Sequence, residues 1–381
     1  MAITHRGARP TYAEIDFGAY RNNLAVLSVA AGTAELCAVV KADGYGHGAV
    51  PMAEAALAAG VSRLAVALVE EAVELRRAGI DVPLLMLSQP APDAFGEVAA
   101  ADVTPTLYTL EGVAAAVQAV RATGRETPLD VHLKVDTGMH RVGVSGAGLA
   151  DLVGAVVAAP ELRLEGVFTH LARADEPDCG FTETQLARFR ESLGVVAAAG
   201  GRPRLVHTAN SAGLIAFPES HFDLVRCGIA SYGYPPSRQL AGRLPLRPVL
   251  SLHTRVGYLK TVEPGDAMSY GQHYTVWERR VIATLPIGYA DGIPRRLGAA
   301  GGQVLINGRR RRIAGTVTMD QITVDCGPPD ADDVRIGDPV VLIGRQGEAD
   351  VSADEWAELV DTISYEILCG ISRRVPRHYV N

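Results

Sequence analysis

The chain has no apolar run approaching 18 residues without a charge or glycine, so nothing in it reads as a membrane-spanning helix. Positive charge is not in excess: 36 lysines and arginines stand against 43 aspartates and glutamates, a formal net charge of −7. A dedicated nucleic-acid binder needs a basic face for the phosphates, and this balance argues against that class. Cysteine is scarce and unpaired in pattern. Cys37, Cys179, Cys227, Cys326 and Cys369 are odd in number, widely scattered and free of any CxxC spacing. They fit buried thiols in a reducing compartment better than a disulfide framework or a zinc site, so no metal centre is expected. The opening MAITHRGARP lacks the apolar core of an export signal, and a cytoplasmic protein is expected. Repeats, low-complexity tracts and charged linkers are missing too. What remains is ordinary globular material, 48% hydrophobic and 21% charged, which rules out disorder as the main state. At about 150 residues per domain, 381 residues suggest two domains, or a large one with an appendage.

From about residue 36 to 229, β-branched runs alternate with alanine-rich helical stretches. The runs are Leu36–Val40, Arg63–Ala67, Pro83–Leu87, Val103–Tyr108, Asp130–Val135, Arg163–His170, Arg204–Thr208 and Asp223–Gly228. Helical spacing lies between them, as at 69–79 and at 182–200, where Gly200-Gly201 is a stop signal. Such alternation implies βαβ units and a parallel sheet. Eight units have the size of a (β/α)8 TIM-type barrel, with a doubly wound open sheet as the alternative. The rhythm changes near residue 245. Thereafter short strand-like runs dominate, Asn307-Gly308 between two of them signals a type I′ hairpin, and one helix is expected near Ala353–Leu359. The α/β reading is therefore a barrel over 1–245 followed by a mostly β domain over 246–381. The arginines 309–312 read as a solvated hairpin strand in preference to an anion patch.

Catalytic groups of a (β/α)8 barrel sit at the carboxyl ends of its strands. Those ends carry Lys41, Lys134 with Arg141 beyond it, His170, Asn210 and Ser211, and Arg226 with Gly228. Lys41 follows the buried run LCAVV and leads into AlaAspGlyTyrGlyHisGly. A lysine at a barrel mouth loses hydration, which lowers its pKa and frees the amine for Schiff-base chemistry. A solvated lysine at the start of a loop is the alternative.

The segment AVVKADGYGHG resembles the cofactor-lysine segment of the alanine racemase family, pyridoxal-phosphate enzymes built from a (β/α)8 barrel and a β domain. The likeness runs the length of the chain in order: HLKVDTGMHRVG, FTHLARADE, HTANSAG, VRCGIASYG, MSYG, PIGYADG, TMDQ and TISYE. It decides for the barrel against the open sheet. It implies an amino-acid isomerase that interconverts L-alanine and D-alanine for peptidoglycan synthesis, acting as a homodimer with shared active sites. Lys41 would carry pyridoxal 5′-phosphate as a Schiff base and serve one face of Cα. Tyr270, from the partner subunit, would serve the other, because racemisation has to remove the proton from one face and return it to the opposite one. Without the likeness, Tyr270 reads as a half-buried strand tyrosine.

The same resemblance assigns the phosphate to Tyr45, Ser211, Gly228, Ile229 and Tyr365, and places His170 and Asn210 at the cofactor. Arg226 would face the pyridine nitrogen, and a guanidinium, which only donates, keeps that nitrogen unprotonated. Arg141 and the backbone N–H of Met319 would take the substrate carboxylate. Lys134 corresponds to a lysine that is often carbamylated, and Asp175, Tyr289 and Arg295 to residues of the entrance. Thr316 and Thr318 stand where many members have arginine and cysteine, a departure expected to bear on substrate range. A serine or broader-range racemase of the same fold is the main alternative, since one extra hydroxyl gives little discrimination. A fold-related decarboxylase lacks its cysteine–aspartate block here, and a single-barrel cofactor carrier would lack the β domain.

Overall fold

The computed structural model describes residues 9–146, 148–331 and 334–381. Residues 1–8, most of the stretch in which no export signal is expected, lie outside the described residues. Among the described residues no helix is long and apolar enough to cross a membrane.

A first strand, β1 (Tyr12–Asp16), precedes eight more: β2 (Glu35–Val39), β3 (Arg63–Val66), β4 (Leu84–Met86), β5 (Thr106–Leu107), β6 (Leu129–Lys134), β7 (Leu162–Phe168), β8 (Leu205–His207) and β9 (Leu224–Cys227). Those eight fall on the expected runs, most trimmed by a few residues and β2, β6 and β7 starting one residue earlier. They pair in parallel in the orders β4-β3-β2-β9 and β5-β6-β7-β8. Backbone bonds close the ring at both seams: Thr104 N–H to Leu84 at 2.9 Å on one side, Asp223 N–H to Val206 at 2.9 Å on the other. The strands are apolar on successive residues because both faces are covered, helices outside and side chains inside. Leu133, Val135, Val153, Val167 and Phe189 lie in one such buried cluster under the helices Gly148–Ala158 and Phe181–Ala198.

The second unit is mostly β. One sheet runs in the order Arg309–Arg312, Gln303–Ile306, Pro339–Gln346, Leu250–Arg255, β1 and Arg377–Val380. A second antiparallel sheet joins Tyr258–Val262, Arg280–Leu285 and Ile322–Gly327. Asn307 and Gly308 both take positive φ (51° and 72°), as a type I′ turn requires. The arginine strand is solvated, with Arg312 over the Tyr274 ring and Arg310 paired with Glu355.

Three expectations need correction. β1 was placed with the barrel, yet it pairs antiparallel with Leu250–Arg255 and parallel with Arg377–Val380, which satisfies both its edges and buries Ala13 and Ile15. The compact β unit accordingly comprises the described part of Met1–Ala19, Tyr45–Gly48 and Pro248–Asn381. A second helix, Ser364–Gly370, follows the expected one at Ala353–Val360; it is too short to show a period. Of the cysteines, Cys37, Cys227 and Cys326 are buried, but Cys369 is exposed and Cys179 partly so.

Candidate active site

Lys41 stands half-buried at the carboxyl end of β2, one residue after the buried Val40. The chain then makes a left-handed turn: Ala42, Asp43, Gly44 and Tyr45 have φ of 53°, 54°, 60° and 54°. Three of these four carry a Cβ, and each such residue costs about 1–2 kcal/mol. Specific bonds hold the turn. Gly44 N–H reaches Val40 at 2.9 Å, and Asp43 accepts from Ala49 N–H at 2.9 Å. Glu71 accepts from Ala42 N–H at 2.6 Å with one oxygen, and from Ala67 and Leu68 N–H at 2.8 and 3.1 Å with the other. Glu71 thus ties the Lys41 turn to the exit of β3. Sequence reasoning placed it inside the helical stretch 69–79 and gave it no role, since its Ala42 partner is 29 residues away. Past the turn, Gly46 has φ 81°, and a Cβ there would lie 2.4 Å from the Leu368 carbonyl oxygen. Its own carbonyl accepts from Arg377 at 2.9 and 3.0 Å.

Within the barrel, Lys41, Lys134, Arg141 and Arg226 bring four cationic groups around His170. Burial lowers the pKa of Lys134 to about 8, helped by the charges of Arg141, Arg226 and Lys41 against the opposing pull of Asp136. Burial also takes His170 well below its ordinary value, with the same four cations adding to it. His170 is therefore neutral near pH 7. Arg141 itself is exposed, on the loop beyond β6. Such a surplus of positive charge suits an anionic ligand.

Beyond β8, Asn210 caps the helix Ser211–Ala216 by accepting from Gly213 N–H at 2.9 Å. Ser211 Oγ accepts from Gly228 N–H at 3.1 Å and Ala230 N–H at 3.3 Å, which leaves its hydroxyl proton to donate. Gly228 and Ile229 open the short 3-10 turn Ile229–Tyr232 after β9. Because Gly228 N–H is spent on Ser211, an anion bound here would be left the Ser211 hydroxyl and the Ile229 N–H.

Arg226, next to last in β9, is almost wholly buried. Its Nη2 donates to the Thr208 and Thr169 carbonyls at 3.0 and 3.1 Å and to His170 Nδ1 at 3.4 Å. Its shortest bond is Nη1 to Nδ1 of His207, at 2.7 Å, a partner that sequence reasoning did not single out. The HTANSAG block contained it, but nothing local said that its ring turns inward. Phe168 stacks on His207 at 4.7 Å and carries Arg226 over its face at 5.1 Å. Asp175 lies half-buried in the barrel unit, its carbonyl accepting from Ser237 at 2.6 Å.

The other expected residues belong to the β unit. Tyr45 and Tyr365 face each other with ring centroids 6.0 Å apart. Tyr289 and Arg295 line a cavity of about 460 Å³ with Ile293 and Glu366. Tyr270 is 72% exposed and Met319 52%. Tyr270 sits on a strained turn in which Ser269 and Gln272 take φ of 60° and 50°. Thr316 holds this turn from both directions: its hydroxyl donates to the Tyr270 carbonyl and its carbonyl accepts from Ser269, each at 2.7 Å. Thr318 donates to the Gln321 carbonyl at 2.7 Å and accepts from Tyr289 N–H at 2.9 Å. The two threonines expected to depart from the family pattern are thus built into the turns bearing Tyr270 and Tyr289.

Comparison with known proteins covers nearly the whole chain. Residues 15–236 match the family profile "Alanine racemase, N-terminal domain", and residues 249–379 the profile "Alanine racemase, C-terminal domain". A protein of Symbiobacterium thermophilum named alanine racemase is 50% identical over 373 residues, 98% of each chain. Among solved structures, alanine racemase from Bacillus anthracis with bound L-Ala-P superposes with a TM-score of 0.91 at 42% identity, over 98% of this chain and 96% of that one. Alanine racemase from D-cycloserine-producing Streptomyces lavendulae gives 0.92 at 40%, over 99% and 98%. With both profiles in sequence and structures matched end to end, this chain is a member of the alanine racemase family.

Proposed function

We propose that the protein is an amino-acid racemase that interconverts L-alanine and D-alanine, uses pyridoxal 5′-phosphate, and supplies D-alanine for peptidoglycan. The observation that carries the site assignment is the cationic barrel mouth with the Ser211 hydroxyl at a helix start beside it. The residue types suit a phosphorylated cofactor and a carboxylate substrate: the Ser211 hydroxyl, whose oxygen Gly228 N–H holds, with Ile229, Tyr45 and Tyr365 for the phosphate, Arg226 with His170 and Asn210 along the ring, and Arg141 with Met319 N–H for the substrate. When bound, the cofactor supplies the electron sink that makes the Cα proton removable. Lys41 anchors it and moves the proton on one face of Cα; Tyr270 moves it on the other. Tyr270 acts from a second copy of this chain in a homodimer, which agrees with its exposure and that of Met319 in the single chain. Asp175, Tyr289 and Arg295 are read as entrance residues, and the cytoplasm as the place of action.

The test follows each enantiomer of alanine and serine in deuterated water. The wild type exchanges Cα of both alanine enantiomers and converts them. In Tyr270→Ala, deuterium still enters D-alanine, which Lys41 serves, while exchange into L-alanine falls steeply. Equal loss for both enantiomers with the cofactor retained removes Tyr270 as a face-specific base. Serine turned over as fast as alanine makes the protein a broader-range racemase.

Lys134 is proposed to carry a carbamate. With its pKa brought down to about 8, a usable share of the amine is neutral at pH 7–8. Neutral Nζ adds to the carbon of carbon dioxide, forming an N–C bond and releasing one proton, and the resulting anion is stabilised by Arg141, Arg226 and Lys41. With labelled carbon dioxide the holoenzyme should show a carbamate carbon resonance that grows from pH 7 to 9 and is missing from Lys134→Arg. Identical spectra of the two proteins would remove the assignment.

A further inference from the structure

Behind Arg226 runs a chain of buried polar groups that the catalytic reading does not use. Arg226 Nη1 meets His207 Nδ1 at 2.7 Å, His207 Nε2 meets His132 Nδ1 at 2.8 Å, and His132 Nε2 meets Glu165 Oε2 at 3.0 Å. Glu165 is clamped by Arg63 at 2.6 and 3.1 Å and by Arg204 at 3.0 Å. Arg63, His132, Glu165, His207 and Arg226 are all buried, the histidines completely. Room for the chain is built into β7: a Cβ on Gly166 would lie 2.4 Å from the His132 ring. A glycine in mid-strand weakens the strand, so its place here marks a close approach.

The chemistry of the two ends sets the direction of every bond between them. A guanidinium only donates, so His207 Nδ1 accepts and the His207 proton sits on Nε2. That N–H makes His132 Nδ1 an acceptor in turn and puts its proton on Nε2, aimed at Glu165. An ionised carboxylate only accepts, so the run ends without conflict. Protonation states agree. Burial opposes ionisation of Glu165, yet hydrogen bonds from His132 and Arg63 outweigh it and hold the carboxyl well below its ordinary range. Burial keeps both histidines neutral, with Arg226 adding to it at His207 and Glu165 pulling the other way at His132.

We propose that Glu165 is a positioning residue of the racemase: through His132 and His207 it fixes the one hydrogen-bond direction in which Arg226 can be held toward the cofactor ring. The consequence for catalysis rests on the reading that Arg226 faces the pyridine nitrogen; the direction of the chain does not.

Replacing the carboxylate by its amide shows why the charge matters. In Glu165→Gln a single oxygen remains, and the charged Arg63 donors take it, since charge-assisted bonds are about twice as strong as neutral ones. The amide N–H then faces His132 Nε2. Both imidazoles have to reverse, and His207 Nδ1–H ends opposite the Arg226 N–H, donor against donor.

The experiment is imidazole nitrogen NMR on histidine-labelled holoenzyme at neutral pH, with kcat measured in parallel. Wild type should show His132 and His207 neutral with the proton on Nε2 in both. Glu165→Gln should move both protons to Nδ1 and lower kcat on the order of ten- to a hundredfold, the scale seen when outer partners of metal-bound histidines are lost. A charged imidazole or an Nδ1–H in the wild type overturns the proposal, and does so even if Glu165→Gln fails to fold. Unchanged tautomers and kcat in Glu165→Gln, with only a lower unfolding midpoint, also overturn it by leaving a merely structural ion pair. Tautomers that reverse while kcat holds overturn the positioning role. An Arg226→Lys holoenzyme separates the two readings: an unshifted cofactor pyridine-nitrogen resonance there counts against the placement of Arg226 and leaves the tautomer result intact.

Discussion

Mixing two inactive variants, Lys41→Ala and Tyr270→Ala, should restore racemisation to about a quarter of the wild-type rate once subunits have exchanged. Lys41 stands just past the carboxyl end of a strand of the barrel unit, and Tyr270 on an exposed turn of the β unit. If each site takes its lysine from one copy and its tyrosine from the other, a mixed dimer has one doubly damaged site and one intact site. Random exchange makes half of the dimers mixed, and half of their sites work. Neither parent alone can reach that activity, because each lacks the base for one face of Cα. Exchange is verified by mass spectrometry of differently tagged chains. Mixed dimers without activity would show that both bases come from the same chain.

A second large effect is expected on acidification. His132 and His207 are buried and His170 half-buried, and all three are neutral, each with a pKa lowered chiefly by desolvation. In the unfolded chain they titrate near 6.5. Below that pH the unfolded state binds protons that the folded state refuses, so stability rises with pH through this window and is lost as the pH falls. Each group contributes a slope of about 1.4 kcal/mol per pH unit, and three together about 4. Glu165 adds to the loss further down: its folded pKa is depressed, so the stability it contributes is present above about 4.5 and lost on acidification below it. Urea titrations of the holoenzyme at pH 7.5, 6.5 and 5.5 measure the slope. A midpoint that stays level from 7 to 5 would mean that these histidines are charged or hydrated in the folded protein.

Thr316 and Thr318, expected from the resemblance to depart from the family pattern, have defined structural partners here. Thr316 grips the turn of Tyr270 by two bonds: its hydroxyl donates to the Tyr270 carbonyl, and its own carbonyl accepts from the Ser269 hydroxyl. Both bonds are local and uncharged.

Local physics carried much of this protein into view from the amino-acid order alone. Eight strands, the helices between them and the Asn307-Gly308 hairpin follow from runs, periods and φ preferences that span a few residues. Lys41, Lys134, His170, Arg226 and the Ser211 helix start were legible because a parallel barrel puts its chemistry at strand ends, and strand ends can be read. Only tertiary structure decided the rest. β1 found its partners at Leu250–Arg255 and at the far end of the chain, because a strand's pairing depends on which open edges reach it in space. Ala42, Asp43 and Tyr45 adopt a left-handed turn that their own preferences resist, and Glu71, remote in sequence, offsets the cost. The Arg63–Glu165–His132–His207–Arg226 chain draws on five strands or strand ends. Its bond directions exist only when a donor-only group and an acceptor-only group close a buried run from opposite ends, and no pattern along the chain encodes that.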